Sequence, residues 1–137
     1  MTATRLGRRS WPASRGGALI WLLCLCDAGL LIASGLVHLH LWDIAYRHVP
    51  TLDVLFLVQA GAALVAAVLL LSMRSLLLAV GSAALMAGTI IGFVLARTSG
   101  IFGFHLTFSS GLAYAALIIE AVAVVFLLVT AAVMTRS

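Results

Sequence analysis

The chain has 137 residues, of which 64% are hydrophobic and only 9% are charged, and its mean hydropathy is +1.25. A soluble domain of this size needs far more polar surface, so the composition excludes a water-soluble globule and predicts an integral membrane protein. The basic residues are all arginines, scattered between apolar runs although the net charge is +4. This scatter leaves no basic face to follow a phosphate backbone and excludes nucleic acid as a partner.

Four apolar runs are each long enough to cross a bilayer. About 20 residues at ~1.5 Å each span a hydrocarbon core of about 30 Å, and a segment in lipid must satisfy its own backbone hydrogen bonds, which favours helices. The predicted spans are 18–42, 52–71, 76–96 and 112–134. We therefore predict an all-α membrane protein, an up-down bundle of four transmembrane helices. One domain, 18–134, lies between a basic N-terminal tail, 1–17, and a short C-terminal tail, 135–137.

The arginines predict the orientation of the chain, because excess positive charge stays on the cytoplasmic side during insertion. Two arginines, Arg47 and Arg97, fall on one side of the predicted membrane. The other arginines fall on the side of both termini: Arg5, Arg8, Arg9, Arg15, Arg74 and Arg136. Both termini are accordingly predicted in the cytoplasm.

The first predicted helix carries a polar stripe. Asp27, Ser34 and His38 are separated by seven and four residues, so they share one helix face over about three turns. Ionisable side chains within a span are costly and usually face the bundle interior. The stripe fits a proton or ion path from the outer surface, and it fits equally a helix whose other faces meet lipid.

The histidines all fall on the predicted outer half, beside other polar groups. Together they offer ligand chemistry for zinc, copper or haem. His38 and His40 would face opposite ways on a helix, however, and no metal-binding spacing accompanies them. We predict no cofactor and place the histidines, Trp42 and Tyr46 in the headgroup belt at the membrane interface, with a metal or haem site as the alternative. The outer-face candidates are His40, Asp43, Arg47, His48, Arg97 and His105.

The second predicted helix begins after Pro50 and Thr51, where proline is tolerated and a hydroxyl can cap the first turn. Gln59, within this helix, is interpreted as a hydrogen-bonding group that holds neighbouring helices together. The short connection at 72–75 makes the second and third helices antiparallel neighbours.

The third predicted helix contains Gly88 and Gly92, a small-xxx-small pair, and Gly81 lies on nearly the same face. Small residues in this pattern predict a close contact between helices, within the chain or in a dimer. The loop that follows is apolar for an exposed connection. Its phenylalanines, Phe102, Phe104 and Phe108, predict either an anchor in the outer lipid interface or a lid over a pocket.

The fourth predicted helix carries Glu120, the second carboxyl at membrane depth after Asp27. If the first and fourth helices touch, the two carboxyls would form a proton-sharing pair or a cation site. Alternatively, each is a neutral acid that is hydrogen-bonded to a polar side chain of a neighbouring helix. In both interpretations the two side chains face the bundle interior.

The segments HLHLW at 38–42, YRHVPT at 46–51 and RTSGIFG at 97–103 carry a resemblance to a known group. The chain resembles small actinobacterial four-span integral membrane proteins of uncharacterised function. The resemblance implies a four-helix fold and a plasma-membrane location, and it implies no catalytic residues. All three segments lie on the predicted outer side, which suggests that the functional end is there.

Two functional hypotheses follow. The first is a non-enzymatic multi-pass protein, either an accessory subunit of a larger membrane complex or a small binder of lipid or quinone-like ligands, because no nucleotide loop or nucleophile elbow is present. The alternative is a small redox or proton/ion-transport protein that uses Asp27, Glu120 and the outer histidines. The expected partners are the lipid bilayer and other membrane proteins or a second copy of the chain.

Overall fold

A computed structural model describes residues 15–101, 103 and 111–136, with the backbone alone at residue 15. Within these residues the chain forms four α-helices: α1 (Arg15–Leu41), α2 (Leu52–Met73), α3 (Leu76–Thr98) and α4 (Gly111–Arg136). A π-helical segment, Trp42–Tyr46, continues α1. The predictions for residues 1–14, for the three loop phenylalanines and for His105 lie outside the described residues.

The outer surface of the helices is apolar over their whole length. Large hydrophobic side chains such as Leu77, Ile118 and Val68 are 80%, 64% and 63% exposed. Such a surface is unfavourable in water and suits contact with acyl chains. All four helices are also long and apolar enough to cross a membrane. The prediction of an all-α, multi-pass membrane protein with four spanning helices is confirmed.

The helices run alternately up and down. The ring of His38 on α1 lies beside that of Phe56 on α2, with 5.4 Å between centroids, and Asp27 on α1 contacts Thr130 on α4. We call the half of the bundle with the ends of α1 and α3 and the starts of α2 and α4 the histidine half. The opposite half, with the start of α1, the α2–α3 turn and the end of α4, is the termini half.

The termini half holds a tightly packed core. Leu31, Leu70, Met86 and Leu127 are fully buried there, together with alanines from the neighbouring helices. Because lipid tails are as apolar as leucine, the attraction between these helices comes from close van der Waals packing, which small alanine side chains permit.

The α2–α3 turn is tight, as predicted. Arg74 adopts a left-handed conformation with φ 45° and donates its backbone N–H to the Leu70 carbonyl at 2.9 Å. The Ser75 hydroxyl then caps α3 by accepting from the Leu77 N–H at 3.2 Å. Beyond the turn α2 and α3 diverge, and they contact each other far less than α1 contacts α2 or α4, or than α3 contacts α4.

The predicted cap at Thr51 is wrong. Its hydroxyl makes no capping hydrogen bond to a described residue, and its φ is 71°. The two N–H groups that it would have satisfied are occupied, since Asp53 N–H donates to the Val49 carbonyl at 3.0 Å and Val54 N–H donates to the Asp53 carboxylate at 2.7 Å. The chain preceding α2 therefore closes the first turn itself.

The predicted close contact at Gly81, Gly88 and Gly92 is not made within the chain, and a contact there between two copies stays a prediction. A Cβ built on any of the three meets no atom of a described residue within 4 Å. Because α3 diverges from α2, its small residues leave space rather than bring backbones together. The close approach occurs on α1 instead, where a Cβ on Gly35 would lie 3.1 Å from the Ala60 carbonyl oxygen.

Candidate functional site

A cavity of about 500 Å³ lies in the histidine half, between the diverging helices α2 and α3. The helices α1 and α4 and the π-helical segment close its other sides, and most of its wall is apolar. This volume is within the range of small-molecule sites, which combine apolar walls with a few polar groups. The polar side chains on the wall are His38, Tyr46, Gln59, Thr89 and Glu120.

His38 and Glu120 meet across the α1–α4 contact. His38 Nε2 lies 3.3 Å from Glu120 Oε1, and both side chains are buried. His38 Nδ1 donates to the Ser34 carbonyl at 2.8 Å. A carbonyl can only accept, so Nδ1 carries a hydrogen and Nε2 is the nitrogen that faces the carboxyl. At 3.3 Å the two atoms are close enough to exchange one proton, which would give a carboxylic acid facing imidazole or a carboxylate facing imidazolium.

Three aromatic rings stack at one side of the cavity. Phe56 lies between His38, at 5.4 Å between centroids, and Tyr46, at 4.4 Å and nearly parallel. The π-helical segment makes this possible. The backbone N–H of Arg47 donates a hydrogen bond to the carbonyl of Trp42, five residues earlier, at 2.8 Å. The wider turn rotates Tyr46 towards the side of His38. The sequence predicted Tyr46 in the headgroup belt, and the structure places it on the cavity wall.

The amide of Gln59 faces the cavity from α2. The side chain is half-buried, and its Nε2 has no hydrogen-bond partner among the described residues. The interhelical hydrogen bond expected of Gln59 is therefore not made by this nitrogen. Thr89, across the cavity on α3, donates its hydroxyl to the Leu85 carbonyl of its own helix at 2.9 Å. Gln59 is thus left with an unused donor in an apolar wall.

Asp27 lies in the termini half and pairs with Thr130 rather than with Glu120. Thr130 Oγ1 lies 2.5 Å from Asp27 Oδ2 and 2.9 Å from the Phe126 carbonyl oxygen. A hydroxyl has one hydrogen and a carbonyl can only accept. The two contacts coexist as hydrogen bonds when Asp27 is a neutral acid that donates to Thr130. The predicted pair of Asp27 with Glu120 is wrong, and the alternative of a separate polar partner for each carboxyl agrees with the structure.

The predicted stripe on α1 is buried but not continuous. Asp27 and Ser34 are fully buried and His38 is 5% exposed, so all three face the interior. Leu31 is fully buried between Asp27 and Ser34, and it packs in the same core as Leu127 of α4. The Ser34 hydroxyl lies beside Glu120 without a hydrogen bond of normal geometry to any described residue. An apolar layer thus separates the two buried carboxyls.

The outer-face candidates that the structure describes lie at the surface. Arg47 joins two of them, since its guanidinium donates to Asp43 at 3.4 Å and to His48 Nε2 at 3.1 Å. His40 is exposed on α1, and Arg97 is exposed in the last turn of α3. Within 15–101, 103 and 111–136, no three His, Cys, Asp or Glu side chains come together as a metal site.

Sequence reasoning missed Tyr46, Phe56 and Thr89 as members of the site. The spacing of Phe56 and Gln59, three residues apart on α2, is a signal that they share a face. The assignment of small actinobacterial relatives stays a prediction. The chain matches no protein-family model, no curated protein and no solved structure.

Proposed function

We propose that the protein is a non-enzymatic membrane protein that binds a small amphipathic ligand, of lipid or quinone-like character, inside its helical bundle. The observation that carries the proposal is the cavity of about 500 Å³ where His38, Gln59 and Glu120 converge in an apolar wall. Sites for small molecules combine these properties, because apolar walls supply affinity and a few polar groups fix the orientation of the ligand.

The unpartnered polar atoms of the wall support a ligand rather than packing. Within the described part of the chain, Gln59 Nε2 is buried without a hydrogen bond, and Glu120 Oε1 is buried with His38 Nε2 3.3 Å away but without a hydrogen bond of normal geometry. A buried polar group left in this state costs about 1–3 kcal/mol. A ligand head group in the cavity would remove that cost, and its apolar portion would lie against the surrounding side chains.

We further propose a plasma-membrane location with both termini in the cytoplasm. The support is the arginine distribution, with Arg15, Arg74 and Arg136 towards the termini half and Arg47 and Arg97 towards the histidine half. The cavity would then lie in the outer leaflet half. Reporter fusions at the C-terminus and after Arg47 test the orientation, and a periplasmic C-terminus would contradict it.

The alternative, a redox or proton/ion-transport protein, rests on the proton that His38 and Glu120 share. Transport across the membrane also needs a route through the termini half. The buried layer of Leu31, Met86 and Leu127 lies in that direction, so the geometry favours local proton exchange at the cavity over conduction. Our first hypothesis also included an accessory subunit of a larger complex. The cavity would have no role in such a subunit.

The test is to fill the cavity. Gly88 lines it and has open space around a built Cβ, so Gly88→Leu places a side chain in the ligand volume. Gly81→Leu is the matched control, because it makes the same change on the same helix, also in open space but away from the cavity. Each protein is purified in mild detergent from its native membrane, and bound small molecules, haem, metals and co-purifying proteins are quantified.

We expect a stoichiometric organic ligand in the wild type and in Gly81→Leu, and at least a tenfold loss of it in Gly88→Leu. Equal ligand in all three proteins, or none in the wild type, would contradict the proposal. A stoichiometric protein partner without a ligand would instead support the accessory subunit, and bound haem or metal would support the redox alternative.

A further inference from the structure

We propose that the ligand is a quinone and that the same site holds it as quinone and as quinol. The inference rests on the proposed function and narrows it to one ligand class. It begins with two polar groups of the cavity wall: the Gln59 amide on α2, whose nitrogen has no described partner, and the Glu120 carboxyl on α4, which faces His38. A ligand that satisfies both must bring polar atoms to two sides of the cavity.

Both groups can exchange the roles of donor and acceptor. The amide of Gln59 offers N–H hydrogens and a carbonyl oxygen, and rotation of its terminal group presents either to the cavity. Glu120 offers an O–H when its carboxyl holds the proton shared with His38, and a bare oxygen when His38 Nε2 holds it. A wall with two such groups accommodates a ligand oxygen in both its carbonyl and its hydroxyl form.

A quinone requires this property. Its ring oxygens accept hydrogen bonds in the oxidised form and donate them in the reduced form, at nearly the same positions. The ester groups of a lipid present acceptors only, so they would leave a bare carboxylate at Glu120 or the Gln59 carbonyl without a donor. The two role-switching groups thus favour a quinone over an ester lipid.

The walls fit a flat ring with an apolar tail. Tyr46 and Phe56 line one side of the cavity and Phe93 lies on α3 opposite α2. Because Phe56 already has His38 and Tyr46 on its two sides, a planar ligand ring would meet the edges of these rings, and edge-to-face contacts between aromatic rings are favourable. The sparse contact between α2 and α3 leaves room for a tail to extend between them towards the acyl chains. Gly88 and Gly92 widen this side of the cavity.

The test is equilibrium binding to the purified protein in phosphatidylcholine nanodiscs. The probes are a decyl-substituted 1,4-benzoquinone, the same molecule after reduction with dithionite under argon, oleic acid and monoolein. The variants are Gln59→Met, which keeps the side-chain length without polar atoms, Glu120→Leu, and Glu120→Gln, which retains a donor and an acceptor. Gly81→Leu and Gly88→Leu serve as controls outside and inside the cavity, and thermal unfolding verifies that each variant is folded.

We expect the wild type and Gly81→Leu to bind quinone and quinol with affinities within about threefold of each other, and more tightly than oleic acid or monoolein. Gln59→Met should weaken both forms by about tenfold, Glu120→Leu by at least as much, and Glu120→Gln by less. If Glu120→Leu does not fold, the binding affinities of Gln59→Met and Glu120→Gln test the proposal.

Binding of only one form, or equal loss with Glu120→Gln and Glu120→Leu, would overturn the quinone assignment. So would tighter binding of oleic acid or monoolein that Gly88→Leu abolishes, although the proposed function would then stand. If no probe binds, or if Gly88→Leu binds all probes as the wild type does, the proposed function fails together with the inference.

Discussion

The two halves of the bundle treat buried polar groups differently. In the termini half Asp27 meets the Thr130 hydroxyl, and fully buried leucines and alanines fill the space around them. In the histidine half Glu120 faces His38 at 3.3 Å, the Gln59 Nε2 has no described partner, and a cavity takes the place of packed side chains. Asp27 Oδ1 also lacks a described hydrogen-bond partner, but packed side chains surround it, whereas the polar atoms of the histidine half border open volume.

The comparison shows that burial alone does not indicate the role of a carboxyl. Asp27 and Glu120 are both carboxyls with at most 2% exposure, on helices that contact each other, yet their surroundings suit different roles. Asp27 fits a packing role because a hydroxyl and close-packed apolar atoms surround it. Glu120 fits a binding role because its carboxyl borders open volume. The four predictions below test this comparison, from the largest expected effect to the smallest.

Truncation of a leucine should cost more in the termini half. Leu127 is fully buried, so Leu127→Ala leaves a new cavity and should lower the free energy of unfolding by about 2–4 kcal/mol. Leu117 lines the existing cavity, so Leu117→Ala enlarges a space already present and should cost about half as much. Unfolding in mixed micelles with increasing SDS measures both. Equal losses would show that the two halves are equally well packed.

Substitution of glycine by alanine should affect stability differently at Gly35 and at Gly88. Gly35→Ala places its Cβ 3.1 Å from the backbone oxygen of Ala60, which cannot move away without moving α2, and should cost about 1–3 kcal/mol. Gly88→Ala meets open space and should be neutral or should stabilise the helix by up to about 1 kcal/mol. Thermal unfolding in the same detergent provides the comparison. Destabilisation by Gly88→Ala would mean that α3 is packed more tightly than described.

The state of Asp27 can be tested with isosteric changes. Thr130→Val keeps the shape but leaves Asp27 without its hydroxyl, and should lower the free energy of unfolding by about 1–2 kcal/mol. Asp27→Asn should change it by less than about 0.5 kcal/mol, because an amide donates to Thr130 as a neutral acid does. The double variant gives the coupling energy. A loss for Asp27→Asn as large as that for Thr130→Val would indicate an ionised Asp27.

The smallest expected effect is a gain in stability rather than a loss. Gln59→Met removes an unpartnered buried amide, so ligand-free protein should be stabilised by about 0.5–1 kcal/mol. When the ligand is present, the variant should gain less stability from it than the wild type, since ligand binding stabilises the folded state in proportion to affinity. Melting temperatures with and without added ligand measure both. Destabilisation of the ligand-free variant would assign Gln59 a packing role.

The fold was largely predictable because a spanning helix is defined by length and apolarity. The apolar runs locate all four helices, and the helices extend past the predicted limits by three residues or fewer at each end, apart from the π-helical continuation of α1. That continuation was not predictable, since nothing in the sequence of 42–46 distinguishes a π-helical turn from an α-helical end. Tyr46 was misplaced for this reason.

The site was predictable in its members and not in its pairings. Polar residues within apolar runs, such as His38 and Glu120, stand out in a sequence because they are costly in lipid. The pairing of Glu120 with His38 depends on how far α1 and α4 are displaced along their axes. A uniformly apolar helix packs in several such registers, so the pattern does not select one. The divergence of α2 from α3, which turns Gly88 and Gly92 from contacts into cavity wall, is equally a property of the assembled bundle.

The gap between α2 and α3 also determines the phase in which the ligand concentration should be measured. A ligand that enters there comes from the bilayer, where an apolar molecule is enriched by orders of magnitude over its level in water. Occupancy then follows the mole fraction of ligand among the lipids and hardly depends on the aqueous volume of the sample. A site of modest intrinsic affinity is filled under these conditions, and titrations at different lipid-to-protein ratios coincide only when plotted against ligand per lipid.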